Sequence, residues 1–169
     1  MWYDRSNDFT LYAYTDVDWV GNMDDRKSTT GGAFFLVGRL VSWLSKKQDC
    51  TSQSIAEVKY VVVANNCNQV IWMKQMLKDI RIEFNEPIVI HCDNTSTVNM
   101  SKNLVLHSKT NHISIKYHML REKVTKNEIR LEYVSTKEKI AYIFSKHLPK
   151  ETFEYLQGML GVMPLPTSN

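Results

Sequence analysis

Cysteine is scarce in this chain of 169 residues: Cys50, Cys67 and Cys92 are odd in number, and no two share CxxC spacing. That pattern excludes a disulfide scaffold and a thiolate zinc site. It reads as reduced core residues of an intracellular protein, cytoplasmic or nuclear. No apolar run approaches the length of a membrane span, so no membrane partner is expected. The opening residues MWYDRSNDF lack the build of a signal peptide. Repeats, linkers and low-complexity tracts are absent, and the length suits one domain with a sizeable core.

Charge excess is small as well, +3 in total, but it is unevenly spread. Residues 101–150 carry 11 Lys and Arg against 4 Asp and Glu, whereas residues 1–100 carry 10 against 12. A basic half beside an acidic half suggests a polyanion surface next to a cation-binding one, with a solvated helix face as the plain alternative.

Along the chain, FTLYAYTD (9–16) reads as a strand, rich in aromatic and β-branched residues. GAFFLVGRLVSWLSKK (32–47) reads as a hairpin turning at Gly38–Arg39. Residues 52–80 contain no Gly or Pro and set Val63, Val70, Met73 and Leu77 in a stripe, which predicts a long buried helix capped at Ser52 or Ser54. PIVIHCDN (87–94) is a short buried strand ending in an acid, and TSTVNMSKN a brief helix. In 111–126, Ile113, Tyr117, Leu120 and Val124 recur at helical spacing. EIRLEYV (128–134) alternates like a half-buried strand. KIAYIFSKHL reads as a short helix, and KETFEYLQGMLG as another ending at Gly161. Three antiparallel strands followed by strand–helix alternation make an α/β fold, a mixed five-stranded sheet with helices packed on it.

Two carboxylates, Asp16 and Asp18, stand two residues apart where the first strand leaves the core. On one strand face they repel unless they diverge into a turn or share a cation. Asp, Asn and Gly follow, so a turn is one reading and half of a metal site is the other.

The stretches DRKSTTGG, LVSWLSKKQ, SIAEVKYVVVA, IHCDNTSTVNMSKN, HSKTNHISIKYHMLREKV and IRLEYVSTKEKIAYIFSKHLP occur in order without large gaps. Together they closely resemble the ribonuclease H domain of copia-type LTR retrotransposon polyproteins, particularly plant ones, over roughly residues 9–162. The resemblance implies a ribonuclease H-like fold, with 1–8 a remnant of the connection to a reverse transcriptase region and 163–169 a loose tail. It also implies an enzyme that hydrolyses the RNA strand of RNA–DNA hybrids with two Mg2+ ions held by four acids. The hybrid would be read by its phosphates and 2′-hydroxyls.

By resemblance, Asp16 is the first acid and Asp93 the third, and both are expected metal ligands. The second acid lies on the long helix, where AEVKY leaves either Glu57 in place or Lys59 at the position. The fourth position, after Ala in AYIFSK, holds Tyr142. A neutral phenol, which ionises only near pH ~10, is a poor magnesium ligand. STKEK (135–139) has no histidine to assist product release. Lysine and tyrosine at acid positions imply weak magnesium binding and impaired hydrolysis. The alternative is a catalytically dead nucleic-acid-binding module; an integrase or transposase core, which shares the fold, fits the motifs poorly. Lys102, Lys109, Lys116, Arg121 and Lys123 are the expected contacts to nucleic acid, and Lys59 is expected between Asp16 and Asp93 as a substitute cation. The implied partners are an RNA–DNA hybrid or other nucleic acid and the reverse transcriptase domain of the parent polyprotein.

Overall fold

The computed structural model describes residues 9–18, 28–48, 55–102, 111–135 and 138–162, without the side chains of 55–57 and 111–117. Five strands form one sheet: β1 (Leu11–Asp18), β2 (Thr29–Leu36), β3 (Arg39–Lys47), β4 (Ile88–Cys92) and β5 (Ile129–Tyr133). Their order is β3-β2-β1-β4-β5. β1, β2 and β3 pair antiparallel, while β4 joins β1 and β5 joins β4 in parallel. The helices are α1 (Ile55–Asp79), α2 (Thr95–Lys102), α3 (Asn111–Thr125) and α4 (Lys150–Met159), with a 3₁₀ helix at Ile140–Phe144. The mixed five-stranded sheet is the one the sequence predicts.

β1 alternates, and each of its faces feeds a different core. Leu11 and Ala13 join Val63, Val70, Ile90, Leu120 and Leu131 in a cluster beneath α1 and α3. Met73, Leu77 and Val124 pack against its rim, so the α1 stripe and the Leu120–Val124 part of the α3 stripe face this core, while the side chains of Ile113 and Tyr117 lie outside the described residues. Val17 meets Val58 and Val62 of α1. Tyr12 and Tyr14 lie on the opposite face, against Ala33, Phe35, Leu40, Ile140, Ala141 and Leu160. The sheet is therefore covered on one side by the long helices and on the other by the 3₁₀ helix and the end of α4.

Three details depart from expectation. β1 runs on through Asp18, because Thr29 and Thr30 of β2 continue the ladder opposite Asp18 and Val17. The hairpin turns at Val37–Gly38, one residue earlier than predicted: Leu36 pairs with Arg39, and both loop residues have positive φ, 53° and 69°. That is the backbone of a type I′ turn, whose twist suits two strands, and here it outweighs the reluctance of a β-branched residue to adopt positive φ. The segment before α4 is a single 3₁₀ turn, since Pro149 disfavours α conformation just before it and leaves little length for a helix.

α4 closes as expected at Gly161 (φ 70°), with Val162 N–H bonded to Gln157 C=O and Gly161 N–H to Gly158 C=O. This Schellman pattern is repeated at Arg81 after α1 and Asn127 after α3, both at positive φ. Cys67 and Cys92 are buried free thiols. Burial pushes Cys67 up to about 12, as suits an inert core residue. Cys50, the helix-cap candidates Ser52 and Ser54, and the terminal segments 1–8 and 163–169 lie outside the described residues.

Candidate active site

Asp16 sits near the end of β1 with its side chain fully buried, and Asp93 follows directly after β4, with its side chain 20% exposed. Parallel pairing of these two strands brings the two carboxylates to one end of the sheet. Asn94 then accepts the N–H of Thr97 on its side-chain oxygen at 3.0 Å, capping α2 and fixing the chain just after Asp93.

The 3₁₀ helix straddles Asp16. Lys139 precedes it and Ser145 follows it. The Lys139 ammonium contacts Asp16 and donates to Asp93 Oδ2 at 2.5 Å, so one cation bridges both acids. From the far end Ser145 Oγ donates to Asp16 Oδ2. The approach depends on Gly31, the partner of Asp16 on β2: a Cβ there would stand 2.6 Å from the carbonyl oxygen of Ala141. Having no side chain at 31 lets the 3₁₀ backbone settle on the sheet, close enough for both of its flanking residues to reach Asp16.

Lys59 reaches the same cluster from α1, with its Nζ 3.4 Å from each oxygen of Asp93. Its side chain is 22% exposed against 3% for Lys139. Burial alone would raise the Asp93 carboxyl, but hydrogen bonding and charge from Lys139, then from Lys59, hold it below the ordinary carboxylate value. Asp18 has a separate partner, Lys146 Nζ at 3.8 Å. The Tyr142 ring lies beside both cations, 4.6 Å from Lys146 Nζ and 5.9 Å from Lys139 Nζ. Its ring face thus borders the site.

The structure brings Asp16, Asp93, Lys59 and Tyr142 to one end of the sheet, and beside them Lys139 and Ser145, which the sequence did not mark. Lys59 serves as a cation for Asp93, while the bridging position belongs to Lys139. Glu57 falls in the first turn of α1, but its side chain lies outside the described residues. Of the proposed nucleic-acid contacts, Lys102 is exposed at the end of α2 and Arg121 is half-buried on α3. Lys123 is paired with Glu128 at 3.1 Å. Lys109 and the side chain of Lys116 lie outside the described residues.

Among the described residues, no group of three or more His, Cys, Asp or Glu stands where it could hold a metal ion. Asp16 and Asp93 do not suit a magnesium pair in this arrangement, because an ammonium already lies between them. A divalent ion about 4 Å from an ammonium is repelled by several kcal/mol even at an effective dielectric of ~20. What the cluster does chemically is neutralise itself: two carboxylates face two ammonium groups.

No protein-family model matches the chain. It is 35% identical to the retrovirus-related Pol polyprotein from transposon RE2 of Arabidopsis thaliana over 164 residues, 97% of this chain and 11% of that protein. It is also 35% identical to the Pol polyprotein from transposon TNT 1-94 of Nicotiana tabacum over 156 residues, 92% of this chain and 12% of that one. The chain thus spans about a tenth of the length of these relatives. Among solved structures, LC11-RNase H1 in complex with RNA/DNA hybrid superposes with a TM-score of 0.55 at 12% identity, covering 77% of this chain and 88% of that one. The N-terminal RNase H domain of rv2228c from Mycobacterium tuberculosis gives 0.52 at 9%, covering 88% and 98%. The Prototype Foamy Virus protease-reverse transcriptase gives 0.52 at 12%, covering 94% of this chain and 21% of that one. Among the described residues no helix is long and apolar enough to cross a membrane. The chain is thus a homologue of a segment of plant copia-type Pol polyproteins, and its fold is ribonuclease H-like.

Proposed function

We propose that this domain binds RNA–DNA hybrids for a retrotransposon polyprotein and that its magnesium-dependent hydrolysis of the RNA strand is impaired. Kinship with Pol polyproteins and the ribonuclease H-like fold support the hybrid as ligand, and one structural neighbour was solved with an RNA/DNA hybrid. The reverse transcriptase region of the parent polyprotein is the natural neighbour in the same chain. A single observation carries the impairment: Lys139 bridges Asp16 and Asp93 where the ancestral chemistry would need Mg2+. Lys59 adds a second positive charge at Asp93, and Tyr142 brings a phenol where the family resemblance calls for an acid. A second reading, a binding module with no remaining chemistry, draws on the same bridge and differs only in the residual rate.

The test is a hybrid duplex mixed with the purified chain and Mg2+, with binding and cleavage measured on one preparation. The expected result is binding with cleavage at background. Replacing Lys59 by Glu, Lys139 by Gln and Tyr142 by Asp together should then raise Mg2+-dependent cleavage, because two-metal chemistry needs its whole ligand set. EDTA-sensitive cleavage by the unaltered chain overturns the impairment, and failure to bind the hybrid overturns the ligand.

A further inference from the structure

We propose that Lys139 is a built-in replacement for a divalent cation, so that the cluster of Asp16 and Asp93 holds the fold together without metal. This deepens the impaired-site reading, but it concerns stability and ion binding, which are measured without nucleic acid.

Two carboxylates brought together at the end of a sheet need a counter-charge, or they repel and destabilise the fold that unites them. Lys139 supplies it from a side chain only 3% exposed, touching Asp16 and Asp93 at once. A buried ammonium is tolerated only when paired and hydrogen-bonded, and here Lys139 donates to Asp93 and lies in ion-pair contact with Asp16. Ser145 Oγ adds a hydrogen bond to Asp16 that a bound ion would otherwise have to compete with. The bridge also joins separate parts of the fold, β1, the end of β4 and the entry to the 3₁₀ helix, much as a structural ion would.

Charge arithmetic gives the proposal its graded form. Asp16 and Asp93 contribute −2, while Lys139 and Lys59 contribute +2, so the cluster is neutral as it stands. A divalent ion entering it would leave +2. Removing either ammonium brings that residue of charge to +1, and removing both brings it to 0. Lys139 occupies the space between the acids, and Lys59 touches only Asp93 at 3.4 Å from a more exposed position. Lys139 should therefore be the stronger barrier to an ion.

Mn2+ titrated into the full chain by calorimetry, beside thermal unfolding in EDTA, tests this directly. The unaltered chain should bind no Mn2+ at the cluster and keep its Tm whether EDTA or Mg2+ is present. Lys139→Gln should lose roughly 6–20 °C in EDTA, as expected for breaking a buried ion pair in a domain of this size, and regain part of it with Mn2+. Mn2+ affinity should rise in the order Lys59→Gln, Lys139→Gln, then the double variant, with Lys139→Gln at least about tenfold tighter than Lys59→Gln. If Lys139→Gln does not fold, Asp16→Asn with Lys139→Gln removes both partners and should fold without binding Mn2+. Unchanged stability of Lys139→Gln in EDTA overturns the proposal. So does Mn2+ binding by the unaltered chain that Asp16→Asn abolishes. Hybrid cleavage by the unaltered chain would strike the functional reading instead, without bearing on the Tm comparison.

Discussion

Asp16 and Asp18 stand on one strand, and each has drawn its own lysine from the segment after β5, Lys139 for the first and Lys146 for the second. The acids were legible in the sequence because carboxylates at a strand end are conspicuous. Lys139 was not: a lysine in a polar segment after a strand has no feature to mark it as buried. It becomes identifiable only once β1 and β4 are known to be parallel neighbours. A pH dependence follows from Asp93, whose carboxyl is held below its ordinary value of 3.8 by Lys139 and Lys59. A group depressed in the folded state contributes stability that is complete above its unfolded value and is lost as pH falls through its folded value. Urea unfolding should therefore show stability declining once pH drops below about 3.8, and Asp93→Asn should flatten that decline. A parent protein that grows more stable over the same interval would contradict the pairing.

At the scale of elements, periodicity sufficed for most of the fold, since the stripe of α1, Leu120 and Val124 of α3 and the alternation of β1 name their buried faces directly. It failed where backbone geometry overrules side-chain pattern. Val37 enters positive φ because the hairpin's register leaves a two-residue loop, and the helix expected over 139–148 shrinks to a 3₁₀ turn ahead of Pro149. That turn holds the site only because Gly31 admits it. Gly31→Ala should push the Ala141 carbonyl away, costing about 1–3 kcal/mol by chemical denaturation, the range for overpacking. The displaced turn should also loosen the bridge from Lys139. A Gly31→Ala chain of unchanged stability would mean that the 3₁₀ segment moves aside freely.

For the molecule as a whole, part of the basic surplus of residues 101–150 is engaged by acids of the first half, through Lys139 and Lys146. Lys123 pairs with Glu128, Lys126 with Glu122 and Arg130 with Glu132, while Lys139 and Lys146 serve acids of the first half. The pairs within the segment leave its surplus unchanged, whereas Lys139 and Lys146 withdraw two cations from the surface offered to a polyanion, a distinction that only three-dimensional pairing reveals. Binding to a hybrid duplex should still weaken with salt, since phosphate contacts release counterions in proportion to their number. With several of these cations engaged, the slope of log affinity against log salt should correspond to only a few contacts. A steep slope implying eight or more would contradict the internal pairing, and no slope at all would exclude backbone recognition.

In the proposed reading, the Lys139 ammonium stands between Asp16 and Asp93 in place of a metal ion. Crystals grown with Mn2+ and measured at its absorption edge would decide it. No anomalous peak is expected between Asp16 and Asp93, and density for the Lys139 side chain should join them. A manganese peak bridging the two carboxylates, with Lys139 turned away, would contradict it.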